Sequence, residues 1–217
     1  MLFRSVNLFI KEKLIDQLGI GVSETAVKNW DDDDGRIARK DIVGVNAILF
    51  LNKTNINGAT PILMEGKPEI AYRFWTAVRA IPGFGEEQAR KETVAAQPVV
   101  LKALAKLVYD FSFSNRRPEN GDELTEKLLD HITDIDFSHD NPMWRYYEFS
   151  DAERQANGLS GLAAFVPPED GANRDLGSYQ NGLMRFGAKT NDIFPVLGDM
   201  VRWRLGLPSR REQVSVS

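Results

Sequence analysis

Basic side chains alternate with aromatic and polar ones in the last third of the chain, a pattern typical of surfaces that contact nucleic acid. Lys189 and Thr190 come directly before Asn191, which caps a predicted helix. Backbone N–H groups at that helix start, together with Lys189 and Thr190, could hold a phosphate. The sequence therefore predicts a DNA-binding surface formed by Arg185, Lys189, Thr190, Asn191, Arg202, Arg204, Arg210 and Arg211.

Arg202 and Arg204 are not expected to contribute equally to DNA binding. Arg202 and Arg204 are two positions apart, so on a helix they point about 200° away from each other. Val201 and Leu205 place Arg204 nearer the flank of the apolar face, and we expect Arg202 to contribute more to binding. The alternative is that the aromatic residues of this section belong to the core and that the arginines only solvate the surface.

Both histidines of the chain occur among four carboxylates, and imidazole with carboxylate oxygens can bind a divalent cation. The same residue types are also typical of a solvated helix face that runs into a polar loop. The second interpretation is favoured, so we predict no metal site. The residues concerned are Asp130, His131, Asp134, Asp136, His139 and Asp140.

Several classes of chemistry are excluded by residue type. The chain has no cysteine, which excludes disulfide scaffolds, cysteine-ligated metals and thiol catalysis. No nucleophile elbow, phosphate-binding loop or dinucleotide fingerprint is present. The run Asp31–Asp34 before Gly35 resembles half a calcium loop, but Trp30 stands where the first ligand belongs. We therefore predict no cofactor and no catalytic residue, and a role other than that of an enzyme is favoured.

Charge and hydropathy indicate which binding partners and which cellular location to expect. The 217 residues carry a formal net charge of −4, and the stretch 119–153 alone has 11 acidic and 2 basic side chains. The total charge does not indicate a strongly basic nucleic-acid binder, but local potential decides such binding. No apolar run approaches the roughly 18 residues of a membrane span. The first residues lack the features of a signal peptide, so a cytoplasmic protein without a membrane partner is expected.

Helical periodicity dominates the chain, which predicts a mainly α fold: an irregular multi-helix domain of about six to eight helices with long polar loops. Residues 1–140 are predicted to form a helical core domain and 141–217 a C-terminal helical extension packed on it, with one single domain as the alternative. The segment from Pro167 to Gly187 is predicted to be irregular. Predicted helices cover Leu8–Leu18, Ile37–Leu51, Pro68–Ile81, Glu86–Ala96, Val100–Phe111, Leu124–Ile135, Ser150–Phe165 and Asn191–Leu205.

Several short phrases resemble a known family. The segment from Ala71 to Gly83, with Phe74-Trp75 in a helix that ends at Ile81-Pro82, is followed by a helix over Val99–Val108. This order is similar to the DndB-like DNA sulfur modification family, whose members contain an Asp-Gly-Gln-His-Arg motif. Further similarity lies in Met1–Asn7, Asn141–Trp144 and Leu205–Leu207. The Asp-Gly-Gln-His-Arg motif itself is absent from this chain.

The resemblance implies DNA-linked regulation, including transcription regulation, in a bacterial phosphorothioation or antiviral defence system. It also implies that the chain corresponds to the helical C-terminal portion of a longer protein or to a shortened one, without an activity carried by the missing motif. We expect a DNA-associated regulatory or interaction module whose partners are DNA and other proteins of a modification or defence operon. The alternatives are a metal-dependent enzyme fragment that uses the Asp130–Asp140 cluster, and a protein–protein adaptor.

Overall fold

The computed structural model describes residues 10–23, 36–53, 67–168, 176–187 and 190–210. In these ranges the fold is mainly α, as predicted. The helices are α1 (Ile10–Gln17, with π-type hydrogen bonds), α2 (Arg39–Leu51), α3 (Lys67–Arg79), α4 (Ala89–Glu92), α5 (Pro98–Ser112), α6 (Gly121–Asp130), α7 (Asp151–Ala156) and α8 (Thr190–Arg204). Single 3-10 segments cover Val94–Ala96, Ile132–Asp134, Pro142–Glu148 and Ser160–Ala164. The strands form a parallel pair, β1 (Val22–Ser23) with β2 (Ile37–Ala38), and an antiparallel hairpin, β3 (Gly177–Gln180) with β4 (Leu183–Phe186).

Helix α5 lies at the centre of the fold because its sequence is apolar on nearly every side. Pro98 occupies the first helical position, where its missing N–H has no helical partner to lose. The predicted stripe over Val100–Phe111 is buried, and α2, α6 and α8 pack around it. The directions of α2 and α8 relative to α5 follow from side-chain contacts along α5.

Helices α2 and α5 run in the same direction. Near their first turns, a Cβ placed on Gly44 of α2 would lie 3.6 Å from Lys102 Cε of α5. At their far ends, Lys67 Nζ donates to the carbonyl of Phe50 at 2.6 Å and lies 4.8 Å from the ring centre of Phe113. The starts of both helices are therefore at one end of the molecule.

Helix α8 is parallel to α5 as well. A Cβ on Gly198 would lie 3.7 Å from Leu107 Cδ2, and one turn further along the guanidinium of Arg202 lies 4.7 Å from the ring centre of Phe111. The helix ends with Gly206 at φ +58°, where the N–H of Leu207 returns to the carbonyl of Arg202. Helices α2, α5 and α8 thus begin at the same end of the molecule.

Helices α3 and α6 complete the described core. Phe74 and Trp75 of α3 are fully buried, and Trp75 Nε1 donates to Asn46 Oδ1 of α2 at 3.0 Å. On the surface, Arg73 of α3 forms an ion pair with Glu126 of α6. The stripes predicted for α3 and α5 belong to one hydrophobic core, as expected.

Several predicted elements differ from the structure. The helix expected over Leu124–Ile135 ends at Asp130, and a 3-10 turn over Ile132–Asp134 follows it. The helix expected over Glu86–Ala96 is divided into α4 and a 3-10 turn, because Thr93 adopts an extended conformation between them. The helix expected to reach Phe165 begins with the predicted Ser150 capping box but ends at Ala156, and Gly158 follows at φ +72°. The region expected to be irregular contains the hairpin β3–β4.

One hydrophobic core includes buried residues from Leu14 to Leu207, on both sides of the boundary predicted at residue 140. The division into a core and an extension stays a prediction. The described helices include none that is both long and apolar enough to cross a bilayer. The acidic run Asp31–Asp34 with Gly35 and the segment Met1–Asn7 lie outside the described residues.

Candidate nucleic-acid interface

The hairpin β3–β4 carries the first predicted site residue, Arg185. Asn181 and Gly182 form its two-residue turn with φ values of 52° and 77°, the left-handed pair that a type I′ turn requires. Because side chains alternate along a strand, Tyr179 and Met184 face the helices, and Ser178 and Arg185 face away from them. Arg185 is exposed, and the strand holds it on the outer face of the hairpin.

Two buried side chains take the place of a third strand at the edge of β4. The amide of Gln97 donates from Nε2 to the carbonyl of Met184 at 2.9 Å and accepts at Oε1 from the N–H of Phe186 at 3.1 Å. His139 Nδ1 accepts from the N–H of Met184 at 2.9 Å. Backbone groups that an edge strand would expose are thus paired inside the protein, and the hairpin is held against the start of α5.

The bonds of His139 define its protonation state. Nδ1 accepts a hydrogen bond, so the proton of the neutral ring is on Nε2, which donates to the carbonyl of Arg90 at 2.9 Å. Burial lowers the pKa of His139, which outweighs the opposite influence of the Arg90 and Met184 carbonyls and of Asp140. His139 is therefore neutral at neutral pH.

The predicted DNA-binding residues lie at the two ends of α8, about 20 Å apart along a helix of this length. Arg185 and the exposed Asn191 are at the end where Thr190 begins the helix. Arg204 and Arg210 are at the other end. Lys189 and Arg211 lie outside the described residues. The structure does not bring the whole predicted set into one surface.

Arg202 is a core residue, which corrects the expectation that it faces DNA. Its side chain is 1% exposed, donates from Nη1 to the carbonyl of Pro208 at 2.7 Å and lies against the ring of Phe111. Burial lowers the pKa of its guanidinium. Arg202 is one turn after Gly198 on the face that meets α5, whereas Arg204 is exposed.

The cations at the C-terminal end of α8 have acidic or carbonyl neighbours. Arg204 Nη2 lies 3.4 Å from the carbonyl oxygen of Asp134, in the acidic stretch of the chain. Arg210 donates from Nε to the buried carboxylate of Asp199 at 2.6 Å, which raises the pKa of Arg210. The ion pair with Asp199 reduces the positive potential that Arg210 offers to a phosphate backbone.

Basic residues that the sequence interpretation missed lie at the opposite end. Lys40 is exposed in the first turn of α2, and Lys102 is half-buried in the second turn of α5. Together with Arg90 they surround the carboxylate of Asp41 and act to lower its pKa, although burial raises it more. Arg90 joins this group to the hairpin, because its carbonyl accepts from His139. No single sequence segment contains the group, so no local pattern could have indicated it.

The predicted cluster of histidines and carboxylates is not assembled as a metal site. His131 is exposed and its Nδ1 lies 2.8 Å from Asp134 Oδ2, whereas His139 is buried beneath the hairpin. Across the described part of the chain, no group of three or more histidine, cysteine or acidic side chains is arranged to hold a metal ion. No observation favours the metal-dependent alternative.

Comparison with protein families relates this chain to a known family. A profile of the DndB family, described as DNA-sulfur modification-associated, matches residues 34–193. The chain belongs to the DndB family. The match confirms the resemblance carried by the Phe74-Trp75 helix, and it links this DndB-family chain to DNA sulfur modification systems. The matched range includes Gln97, His139, the hairpin and the first residues of α8. Comparisons with curated proteins and with solved structures gave no significant match.

Proposed function

We propose that this DndB-family chain is a DNA-contacting regulatory module of a DNA sulfur modification system. Its contact surface is the end of the molecule where α2, α5 and α8 begin, here called the basic end: Lys40, Lys102 and Arg185, with Lys189, Thr190 and Asn191 as further predicted contacts. Other proteins of the same modification system are its proposed partners. Arg202 is not part of this surface because it is buried.

The observation that carries the proposal is that Lys40, Lys102 and Arg185, which are distant in the sequence, lie at the end where three parallel helices begin. At the C-terminal end of α8 the exposed Arg204 donates to the backbone carbonyl of Asp134. At its start, Arg185 is exposed on a strand that Gln97 and His139 hold in place. The partial positive charges at the starts of three parallel helices add to the potential there, which favours an anionic partner.

A salt titration of DNA binding tests the basic end. Each phosphate contact contributes about 0.9 to the slope of log affinity against log salt concentration. We expect the double variant Lys40→Ala with Arg185→Ala to bind duplex DNA more weakly and to lower this slope by about 2. Fluorescence anisotropy at several salt concentrations measures both quantities.

A matched double variant provides the control. Arg116 and Arg204 are also exposed, but they lie toward the ends of α5 and α8 that are remote from the basic end. We expect Arg116→Ala with Arg204→Ala to keep the slope of the wild type. Absence of DNA binding by the wild type at low salt, or an equal loss in the two double variants, would contradict the proposal.

A further inference from the structure

Hydrogen bonds to Gln97 and His139 attach the hairpin β3–β4 to the rest of the fold, and the bond to His139 depends on a titratable ring. We propose that the hairpin is a latch that protonation of His139 releases. The geometry of one buried imidazole between two backbone groups carries this inference. It concerns the fold alone and does not rest on the proposed DNA contacts.

The neutral ring of His139 provides an acceptor for the Met184 N–H, and the charged ring does not. An imidazolium carries a hydrogen on both nitrogens. Protonation of Nδ1 would therefore direct an N–H at the N–H of Met184, which is 2.9 Å away and would lose its acceptor. The carbonyl of Met184, 3.2 Å from Nδ1, has a second lone pair besides the one that accepts from Gln97 and can take the new proton, but the Met184 N–H then has no acceptor on the ring.

The groups that influence the protonation of His139 include two charged side chains and a backbone carbonyl. Asp140, its neighbour in the chain, favours the charged ring, and Arg185 on β4 opposes it. Arg90 of α4 offers its carbonyl to Nε2–H, a bond that both forms of the ring can make. Burial is the largest influence and keeps the ring neutral at pH 7, so the latch is closed there and opens on acidification.

Release would uncover a defined part of the core. Phe186 at the end of β4 packs edge-on against the buried Trp144, with 6.3 Å between the ring centres. When the His139 bond is lost, the contacts that still hold the hairpin include the bonds to Gln97, the hydrogen bond from the Tyr179 hydroxyl to Asp140 and the Arg145 guanidinium, 3.8 Å from the centre of the Tyr179 ring. Water then reaches the amides of Met184 and Phe186 before it reaches α5.

Hydrogen exchange of the full chain tests the latch. Exchange rates are measured by NMR between pH 7.5 and pH 5.0 and corrected for the intrinsic effect of pH, with the amide of Leu104 in α5 as the reference. In the wild type we expect exchange at Met184 and Phe186 to accelerate relative to Leu104, by about tenfold for each pH unit between the pKa values of the closed and open forms.

Two substitutions isolate the ring responsible. Glutamine at position 139 has a donor and an acceptor but does not titrate, so His139→Gln should remove the acceleration. His131→Gln changes the exposed histidine, which bonds Asp134 at a distance from the hairpin, and should leave the acceleration intact. An acceleration that persists in His139→Gln, or none in the wild type, would overturn the proposal.

A measurement on the wild type covers the case in which His139→Gln does not fold. Nitrogen NMR of the imidazole rings reports which nitrogen carries the proton. We expect His139 to be neutral at pH 7.5 with its proton on Nε2. A proton on Nδ1 at that pH would place a donor against the Met184 N–H in the closed state, and the latch would be rejected.

Discussion

Burial separates the two histidines of this chain. His131 is exposed and forms a surface pair with Asp134, whereas His139 is 4% exposed and bonds the backbone groups of Arg90 and Met184. The neutral ring of His139 both donates to a carbonyl and accepts from an amide N–H, and the charged ring cannot accept. His139 is therefore expected to couple protonation to folding.

The stability of the protein should fall as the pH is lowered below about 6.5, the ordinary pKa of histidine. The pKa of His139 is lower in the folded chain, so the unfolded chain binds the proton first. Between the two pKa values the free energy of unfolding should decrease by about 1.4 kcal/mol for each pH unit. Urea denaturation from pH 7.5 to pH 5.0 measures this slope, and His139→Gln should flatten it. Equal slopes in both proteins would refute this linkage.

Arg202→Ala should destabilise the protein without changing DNA binding. The substitution removes a large buried side chain from Phe111 and breaks the bond to the Pro208 carbonyl, so we expect a loss of about 3 kcal/mol in the free energy of unfolding. Denaturation of Arg202→Ala and the exposed control Arg204→Ala measures the difference. A variant as stable as the wild type but with a lower salt slope would restore Arg202 to the DNA surface.

Residue type alone could not distinguish Arg202 from its neighbours. Arg202 and Arg204 both lie close to the apolar stripe of the predicted helix. Each residue turns the helix by about 100°, so the stripe defines the buried face only to within about one residue. The contact that decides the matter comes from Phe111, which is remote in the sequence. His139 presents the same difficulty, because the hairpin that buries it was not predicted.

At the scale of elements, α5 and α6 approach so closely that a side chain would not fit between them. A Cβ on Gly121 would overlap the carbonyl oxygen of Phe111. Across the same contact, Ser112 and Thr125 hydroxyls lie 2.9 Å apart, and Thr125 also donates to the carbonyl of Gly121. The short connection between the helices is therefore held by backbone proximity as well as by apolar packing.

Gly121→Ala should separate these helices and reduce the free energy of unfolding by about 2 kcal/mol, the cost of an overpacked contact. Gly44→Ala is the matched control. A Cβ there meets only the end of the Lys102 side chain, and alanine favours the helix that contains it. Thermal denaturation compares the two variants. Similar melting temperatures for Gly121→Ala and the wild type would mean that the helices are further apart.

Elements were predicted where the residues that determine them are close together in the sequence. Helices α3 and α5 have long apolar stripes and were predicted, and so was the Ser150 capping box of α7. The hairpin was missed although Asn181-Gly182 is a strong turn signal. Its strands have four residues each and contain Ser178, Gln180 and Arg185, which are not typical strand formers.

At the scale of the whole molecule, α8 joins the same core as the helices that precede it. Its buried Leu197 and Val201 belong to the cluster that includes Ile42 of α2 and Leu128 of α6. Parallel packing of α8 on α5 means that neither helix completes its buried surface without the other. The basic end is likewise a property of the whole molecule, since the helix starts that form it come from distant segments.

We expect the chain to unfold in one transition, which would favour the single-domain alternative over a core with an extension. Trp75 in α3 and Trp203 in α8 provide fluorescence probes on the two sides of the predicted boundary. Variants that retain one of these tryptophans should show the same urea midpoint. A lower midpoint reported by Trp203 would establish that the C-terminal section unfolds separately.

The parallel course of α2, α5 and α8 has a consequence for synthesis on the ribosome. Helix α5 is translated well before α8, and the 113–189 segment must be completed before the partner for one side of α5 emerges. At about 5–20 residues per second, the apolar flank that later meets α8 stays uncovered for several seconds. The nascent chain is therefore exposed to aggregation and to chaperone capture in this interval, which ends when α8 packs on α5.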